Sequence, residues 1–196
     1  TGMTNDAGVY QGSIPAAPVG TKVVYHIEAS TDGNTECSPE VSYTVGEVPI
    51  DYTGLALNEL NGNDKFIEIY NKGKEDIHIK GISIQKDGKD VWTAPSAILK
   101  SGEFVLLYST DVQADHAEHP EGYFFGSGLS AKKAVKVELF DPKGGSLDCF
   151  NLVNFVKKAS ASYSRVPDGT GAWYFTSATP AAKNANETAD KVEGLE

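Results

Sequence analysis

The sequence is short of several residue types, and each shortage excludes a class of protein. It has two cysteines, Cys37 and Cys149, among 196 residues. Small disulfide-bonded domains need more cysteines at short spacings, so both are predicted to be single thiols. No run approaches the roughly 18 apolar residues that a transmembrane helix needs. No segment of a dozen residues combines a helical apolar period with capping residues, which argues against an α-helical fold.

Positive charge is scarce as well. The chain has 17 lysines and arginines against 27 acidic residues, for a formal net charge of −10. Its densest basic spots are two pairs, Lys132-Lys133 and Lys157-Lys158. Binding to a phosphate backbone depends on clustered Lys and Arg that displace counterions. The charge balance therefore argues against a nucleic-acid partner.

What the chain does contain is short apolar-alternating segments separated by turn residues, with 20 Gly and 9 Pro in total. From Leu55 onward these segments recur at the spacing of a β-sandwich, which predicts an all-β fold. Strands are predicted over residues 55–60, 66–71, 77–79, 82–84, 91–92, 104–108, 123–125, 134–140, 147–150, 161–165 and 173–175. The best helix candidate, residues 111–119, is short and strongly polar.

The segment before this region is predicted to be part of a domain. Residues 1–48 contain three alternating stretches, starting at Val9 and covering 22–29 and 41–45, and they resemble the C-terminal strands of fibronectin-III-like or immunoglobulin-like repeats of bacterial surface proteins. Three strands cannot close a sandwich of about seven. We therefore expect this segment to pack against another surface, in the same molecule or in a neighbour. Self-association through its open strand edges is one form that this packing would take. Residues 46–51 are predicted to be a linker, and residues 185–196 a flexible acidic tail.

An ordered set of motifs spans about two thirds of the chain. These motifs are Asn58-Glu59-Leu60, FIEIYN at 66–71, SYSR at 162–165, Asp168-Gly169, Trp173 and TPAAKN at 179–184. The set resembles the lamin tail domain, an immunoglobulin-like β-sandwich known from nuclear lamins and from secreted bacterial proteins. The sequence departs from that family at Ala181, where Gly often follows Thr-Pro, and at Lys132-Lys133, which replace the usual Gly after a Leu-Ser turn.

The resemblance implies an immunoglobulin-like sandwich over residues 49–184 and a non-catalytic role. In bacteria the family is commonly appended to secreted or membrane-associated hydrolases and nucleases. It therefore implies an extracytoplasmic binding or attachment module of a larger surface or secreted protein, with a protein or glycan ligand on the cell envelope. No cofactor and no metal is implied.

Several motif residues carry interpretations of their own. The Asn61-Gly62 pair between two apolar runs predicts a hairpin with a type I′ turn, which needs positive φ. Glu59 and Glu68 are expected to point outward or to find partners, because a buried unpaired carboxylate is costly. The leading interpretation of Arg165 is a bridge to Glu59 or Glu68, and Trp173 is predicted to lie in the core.

Two other functions have some support in the sequence. Asp115, His116 and His119 would share a face if one helical turn formed, and imidazole with carboxylate suits Zn²⁺, so a metal-assisted hydrolase is one alternative. Carbohydrate binding through exposed aromatic residues is the other, with candidates Trp92, Tyr108, Trp173 and Tyr174.

Other possible sites have simpler explanations. The oxygen-rich turns at 32–34, 61–64 and 87–90 lack the calcium-loop spacing of an EF-hand, and turn chemistry explains their composition. His26 and His78 are predicted to be strand wall residues. The sequence thus predicts no catalytic, cofactor-binding or metal-ligating residue.

Overall fold

The computed structural model describes residues 2–31, 33–46, 49–155, 161–184 and 190–196. The chain forms two compact units, Thr1–Pro49 (unit 1) and Ile50–Glu196 (unit 2). Several predictions fall partly outside the described residues. They concern the pair Lys157-Lys158, residue 32 of one predicted turn, residues 47–48 of the predicted linker and residues 185–189 of the predicted tail. In the part of the chain that is described, no helix is both long and apolar enough to cross a bilayer.

The described residues of unit 1 form three antiparallel two-stranded ribbons. Its strands are β1 Thr4–Asp6, β2 Val9–Gln11, β3 Lys22–Tyr25, β4 Glu28–Thr31, β5 Asn34–Cys37 and β6 Val41–Thr44. The single strand predicted over 22–29 is wrong, because the chain changes partner within it: β3 pairs with β6, whereas β4 pairs with β5. At the change, the Ile27 backbone N–H donates to Ser38 Oγ at 2.9 Å, and the Ser38 N–H donates to the Ile27 carbonyl at 2.8 Å.

The described residues of unit 1 do not form an apolar core. Every buried apolar side chain of the described chain lies at residue 55 or beyond. In unit 1 large apolar groups remain open to solvent, among them Val9, Tyr10 and Val24 at 58%, 68% and 51% exposure. Unit 1 is therefore held mainly by backbone pairing, which on its own gives marginal stability in water.

Unit 2 contains twelve described strands and one 3₁₀ helix, Thr110–His116. The strands are β7 Leu55–Asn61, β8 Phe66–Asn71, β9 Ile77–His78, β10 Ser83–Lys86, β11 Lys89–Thr93, β12 Ile98–Leu99, β13 Phe104–Ser109, β14 Phe124–Phe125, β15 Val135–Phe140, β16 Ser146–Leu152, β17 Ser162–Val166 and β18 Ala172–Thr176. One sheet has the order β14-β13-β8-β7-β17-β18, a second has the order β11-β10-β15-β16, and β9 pairs with β12. All pairs are antiparallel except β13 with β14.

The two large sheets form a β-sandwich with one core, which confirms the predicted all-β, immunoglobulin-like fold. In β15 the alternation is direct: Val135, Val137 and Leu139 are buried, and the residues between them are partly exposed. Phe150 of the second sheet packs edge-on against Trp173 of the first, with ring centroids 4.8 Å apart. Trp173 is 6% exposed, so its predicted place in the core is confirmed.

The turn between β7 and β8 differs from the predicted type I′ hairpin. It spans residues 62–65, and within it only Lys65 has a positive φ, of 58°. The Asn61 side chain organises it instead, because its Oδ1 accepts from the backbone N–H groups of Asn63 and Asp64 at 2.8 and 2.7 Å. Gly62 is required for a different reason: a Cβ there would overlap the backbone of Ser130 and Ala131.

The end of the chain also differs from its prediction. The Val192 N–H donates to the Trp173 carbonyl at 2.8 Å, and the Val153 N–H donates to the Gly194 carbonyl at 3.0 Å. Val192 itself is 4% exposed. A flexible acidic tail is therefore the wrong description of residues 190–196, because Val192 and Leu195 give this segment apolar groups to pack against the core.

Candidate functional site

The centre of the six-stranded sheet carries a bulge that redirects polar groups. The register of β7 against β8 shifts between Leu57 and Glu59. Beside the bulge, side chains from both sheets bind the Leu57 backbone: its N–H donates to Asp148 Oδ2 of β16 at 2.9 Å, and its carbonyl accepts from Arg165 Nε of the neighbouring strand β17 at 2.9 Å. A bulge of this kind re-aims side chains and interrupts regular pairing.

Arg165 pairs with Asp148, and the predicted bridge to Glu59 or Glu68 is wrong. Its Nη2 donates to the two Asp148 carboxylate oxygens at 2.6 and 2.9 Å, and its guanidinium lies 4.7 Å from the Trp173 ring centroid. Ser164, not Arg165, stands opposite Glu59. Because successive strand residues point to opposite faces, Arg165 projects away from the glutamates.

Glu59 and Glu68 lie directly opposite each other on β7 and β8, and both are fully buried. Together with Asp168 they form a group that we call the carboxylate cluster. The Asn58 side chain joins two of its members, since Nδ2 donates to Glu68 Oε1 and to Asp168 Oδ1, each at 3.0 Å. The cluster is thus built from a strand bulge, a neighbouring strand and the turn after β17.

The carboxylate cluster holds the segment 179–184. Glu59 accepts from the Thr179 N–H at 3.1 Å and from the Thr179 hydroxyl at 2.7 Å. Glu68 accepts from the Ala181 N–H at 2.6 Å. Burial raises the pKa of Glu59 and raises that of Glu68 to about 8. These carboxylates accept hydrogen bonds from the chain itself and are not accessible to a ligand.

The predicted histidine site does not form. His116 stacks on Tyr108 with centroids 3.6 Å apart, and His119 donates through Nε2 to the Leu106 carbonyl at 2.7 Å. Both rings therefore contribute to the packing of the 3₁₀ helix and the loop after it against β13. Asp115 is exposed, and its carboxylate is not part of a convergent ligand group with these two rings.

The four aromatic candidates for a sugar-binding face do not form an exposed platform. Trp92 and Trp173 are buried, and the Trp92 indole N–H donates to the Gly122 carbonyl at 2.7 Å. Tyr108 and Tyr174 are half-buried. Stacking against a sugar ring needs an accessible aromatic face, so this arrangement does not favour the aromatic route to carbohydrate binding.

Unit 2 has an open cleft of about 590 Å³, which we call the lysine cleft. It lies where the β7–β8 turn meets the loop between β14 and β15. Its lining is Gly62, Asn63, Lys65, Lys86, Asp111, Ser127, Gly128, Leu129, Ser130, Ala131, Lys132 and Lys133. The close approach at Gly62 brings the turn and the loop together and so shapes this cleft.

Charge in the lysine cleft runs opposite to that of the whole chain, because four lysines line it against one aspartate. Lys65 contacts Asp111 at 3.1 Å, and Lys86 contacts Asp87 at 3.0 Å. Lys132 and Lys133 are exposed. Sequence reasoning found only that last pair, because Lys65 lies in the β7–β8 turn and Lys86 at the end of β10, and they join the pair only through the fold.

A family model described as Lamin Tail Domain matches residues 50–153, more than half of the chain. The chain belongs to the lamin tail domain family. No curated protein matches it.

In this lamin tail domain the motif residues that first suggested the family are structural. Most of them build the carboxylate cluster or the core beside it, and the match ends before β17 and β18, which complete the sheet. The departure at Ala181 places a non-glycine residue at a φ of 55°. The departure at Lys132-Lys133 supplies half of the lysines of the cleft.

Proposed function

We propose that this lamin tail domain is a non-catalytic binding module that attaches a larger extracytoplasmic protein to an anionic glycan of the cell envelope. The observation that carries the proposal is the lysine cleft, which four lysines line on a chain of net charge −10. Ammonium groups bind carboxylate or phosphate through charge-assisted hydrogen bonds. The extracytoplasmic setting, and an association with a hydrolase or nuclease, are inferred from the resemblance to modules of secreted bacterial proteins.

The lining of the lysine cleft favours a glycan over a protein ligand. Protein interfaces depend on a few large apolar or aromatic anchors that are buried on binding. Here the apolar lining residues Leu129 and Ala131 are already 5% and 3% exposed and offer little further burial. The other lining groups are lysines, serines, an asparagine, an aspartate and glycines, which match a hydroxylated and charged ligand.

A nucleic acid fits the same cleft poorly. Backbone binding rewards a stripe of basic residues that follows the strand, and it is opposed by surrounding negative charge. The lysine cleft is a single pocket on an acidic chain, and it suits one anionic group with its neighbouring sugar.

The test is equilibrium binding of the full chain to two probes, an oligogalacturonate that carries carboxylates and a phosphorylated oligomannose. We expect the chain to bind at least one probe, and this binding should weaken as salt is raised. Methyl-esterified oligogalacturonate, which has lost its carboxylate charge, should not bind. Lys132→Gln with Lys133→Gln should weaken binding at least about tenfold, because the loss of even one hydrogen bond to a charged group costs roughly 1.5 kcal/mol.

The matched control is Lys74→Gln with Lys80→Gln, which removes the same charge from exposed lysines outside the cleft. This variant should bind within about twofold of the parent. An equal loss in both variants would show nonspecific attraction by charge. Binding of an acidic peptide in preference to both glycans would replace the glycan by a protein ligand.

A further inference from the structure

The start of the β4–β5 ribbon in unit 1 brings together three side chains that the sequence does not single out as a set. They are His26, Glu28 and Cys37, and their potential ligand atoms all lie within 4.8 Å of one another. His26 Nε2 is 3.1 Å from Glu28 Oε1. Among the described residues, no other three His, Cys, Asp or Glu side chains converge in this way.

The backbone fixes this arrangement. Glu28 stands directly opposite Cys37 in the β4–β5 pairing, so the two side chains leave the same face as neighbours. The Ser30 and Thr35 hydroxyls lie on the same face two pairs further along, 2.8 Å apart. The reciprocal hydrogen bonds between Ile27 and Ser38 hold the segment with His26 beside the end of β5.

We propose that His26, Glu28 and Cys37 bind Zn²⁺, with the fourth position left to water. Imidazole, carboxylate and thiolate are each zinc ligands, and bonds of about 2.0 to 2.3 Å place tetrahedral ligand atoms roughly 3.3–3.8 Å apart. The thiolate disfavours the hard cations Ca²⁺ and Mg²⁺, which take oxygen ligands. All three residues are exposed, so small side-chain rotations can close the spacing without disturbing a core.

The binding of Zn²⁺ can be accounted for in both charge and protons. The carboxylate and the thiolate neutralise the charge of the ion, and the proton of the Cys37 thiol is released to solvent. The hydrogen on His26 Nε2 that now points at Glu28 is exchanged through solvent to Nδ1, so the imidazole stays neutral and its Nε2 lone pair is free to bind the ion.

Unit 1 is where such an ion would have the largest effect on stability. Small units that lack a sufficient apolar core are commonly held by a metal or by disulfides. The described residues of unit 1 bury no large apolar side chain, and neither cysteine is in a disulfide. Zn²⁺ joins β4, β5 and the segment before β4 at one point, so it stabilises this ribbon.

The test uses the full chain carrying Cys149→Ser, in which Cys37 is the remaining thiol. Its reaction with a thiol reagent is timed with and without Zn²⁺. We expect Zn²⁺ to slow the reaction at least about tenfold, because a thiolate bound to a metal is a poorer nucleophile toward the reagent. Adding His26→Asn should abolish the slowing, whereas adding His78→Asn, an exposed strand histidine of unit 2, should preserve it.

Two further measurements separate ligation from a structural effect. The rate without Zn²⁺ should be the same in the His26→Asn variant and its parent, which shows that Cys37 keeps its surroundings. Co²⁺ added to the wild-type chain should give a thiolate charge-transfer absorption that Cys37→Ser removes and Cys149→Ser retains. No slowing by Zn²⁺, or equal slowing with His26→Asn, would overturn the proposal.

Discussion

At the scale of single residues, Ala181 has a backbone conformation that clearly costs stability. Its φ of 55° lies in the left-handed region, which costs a residue with a Cβ roughly 1–2 kcal/mol. The position is kept because its N–H donates to the buried Glu68 carboxylate at 2.6 Å. Ala181→Gly should therefore raise the free energy of unfolding by up to about 1 kcal/mol, after the greater flexibility of glycine in the unfolded chain is taken into account.

Urea denaturation measures this change. Ala182→Gly is the matched control: Ala182 has no positive φ to relieve, so its replacement should leave stability unchanged or lower it slightly. A lower midpoint for Ala181→Gly than for the wild type would contradict the explanation by backbone strain.

Trp173 is the second residue whose replacement should have a large effect. It is 6% exposed, packs against Phe150 and lies under the Arg165 guanidinium. Trp173→Ala should reduce the free energy of unfolding by roughly 3–5 kcal/mol, the usual cost of truncating a large core aromatic residue. Tyr174→Ala, at a half-buried neighbouring position, should cost clearly less in the same urea titration. A near-wild-type midpoint for Trp173→Ala would contradict its role in the core.

At the scale of elements, β7 and β8 are coupled through two glutamates that face each other. Burial raises the pKa of Glu68 to about 8, from an ordinary value of 4.5. The folded state therefore binds a proton that the unfolded state has already released at neutral pH. The contribution of Glu68 to stability is thus present below pH 4.5 and is lost as pH rises through about 8.

Between pH 7 and 9 we expect the free energy of unfolding to fall by on the order of 1 kcal/mol from this group. Glu68→Gln keeps the shape of the side chain without the titrating proton, so its stability should be flatter over the same range. Glu103→Gln, at an exposed position, should keep the wild-type slope. An unchanged slope in Glu68→Gln would show that another group controls the pH dependence.

Elements also show which features can be predicted from sequence. The strand predicted at 66–71 has the observed bounds Phe66–Asn71, because apolar residues flank a polar one in a two-residue period. The strand Ile98–Leu99 is missed because two residues carry no period. The partner of Arg165 could not be predicted, since it depends on which face each strand residue takes after the bulge in β7.

At the scale of the whole molecule, the family and the sandwich fold could be predicted from the sequence, but neither candidate binding site could. The lysine cleft joins Lys65 and Lys86 to Lys132-Lys133 across long stretches of sequence. The group of His26, Glu28 and Cys37 depends on a change of strand partner inside a segment that reads as one strand. Long-range pairing decides both, and neither composition nor local alternation encodes it.

The two units should differ sharply in local stability. Hydrogen exchange on the full chain, with a chelator present, should be at least about tenfold faster for the strands of unit 1 than for β7 and β8, because the described residues of unit 1 bury no apolar side chain. Protection in unit 1 that rises with protein concentration would indicate self-association through its open strand edges. Strong protection there in dilute solution would contradict the expectation that unit 1 is marginally stable.

The pairing of β7 has a practical consequence. β7 lies between β8 and β17, yet the family match ends at residue 153, before β17 begins. A chain ended at residue 153 would present a long, fully buried strand as a bare edge and would lose Trp173 from the core. Such edges recruit strands from neighbouring molecules and lead to aggregation. A soluble preparation of this module therefore needs residues well past the family boundary, through the segment that contains Val192.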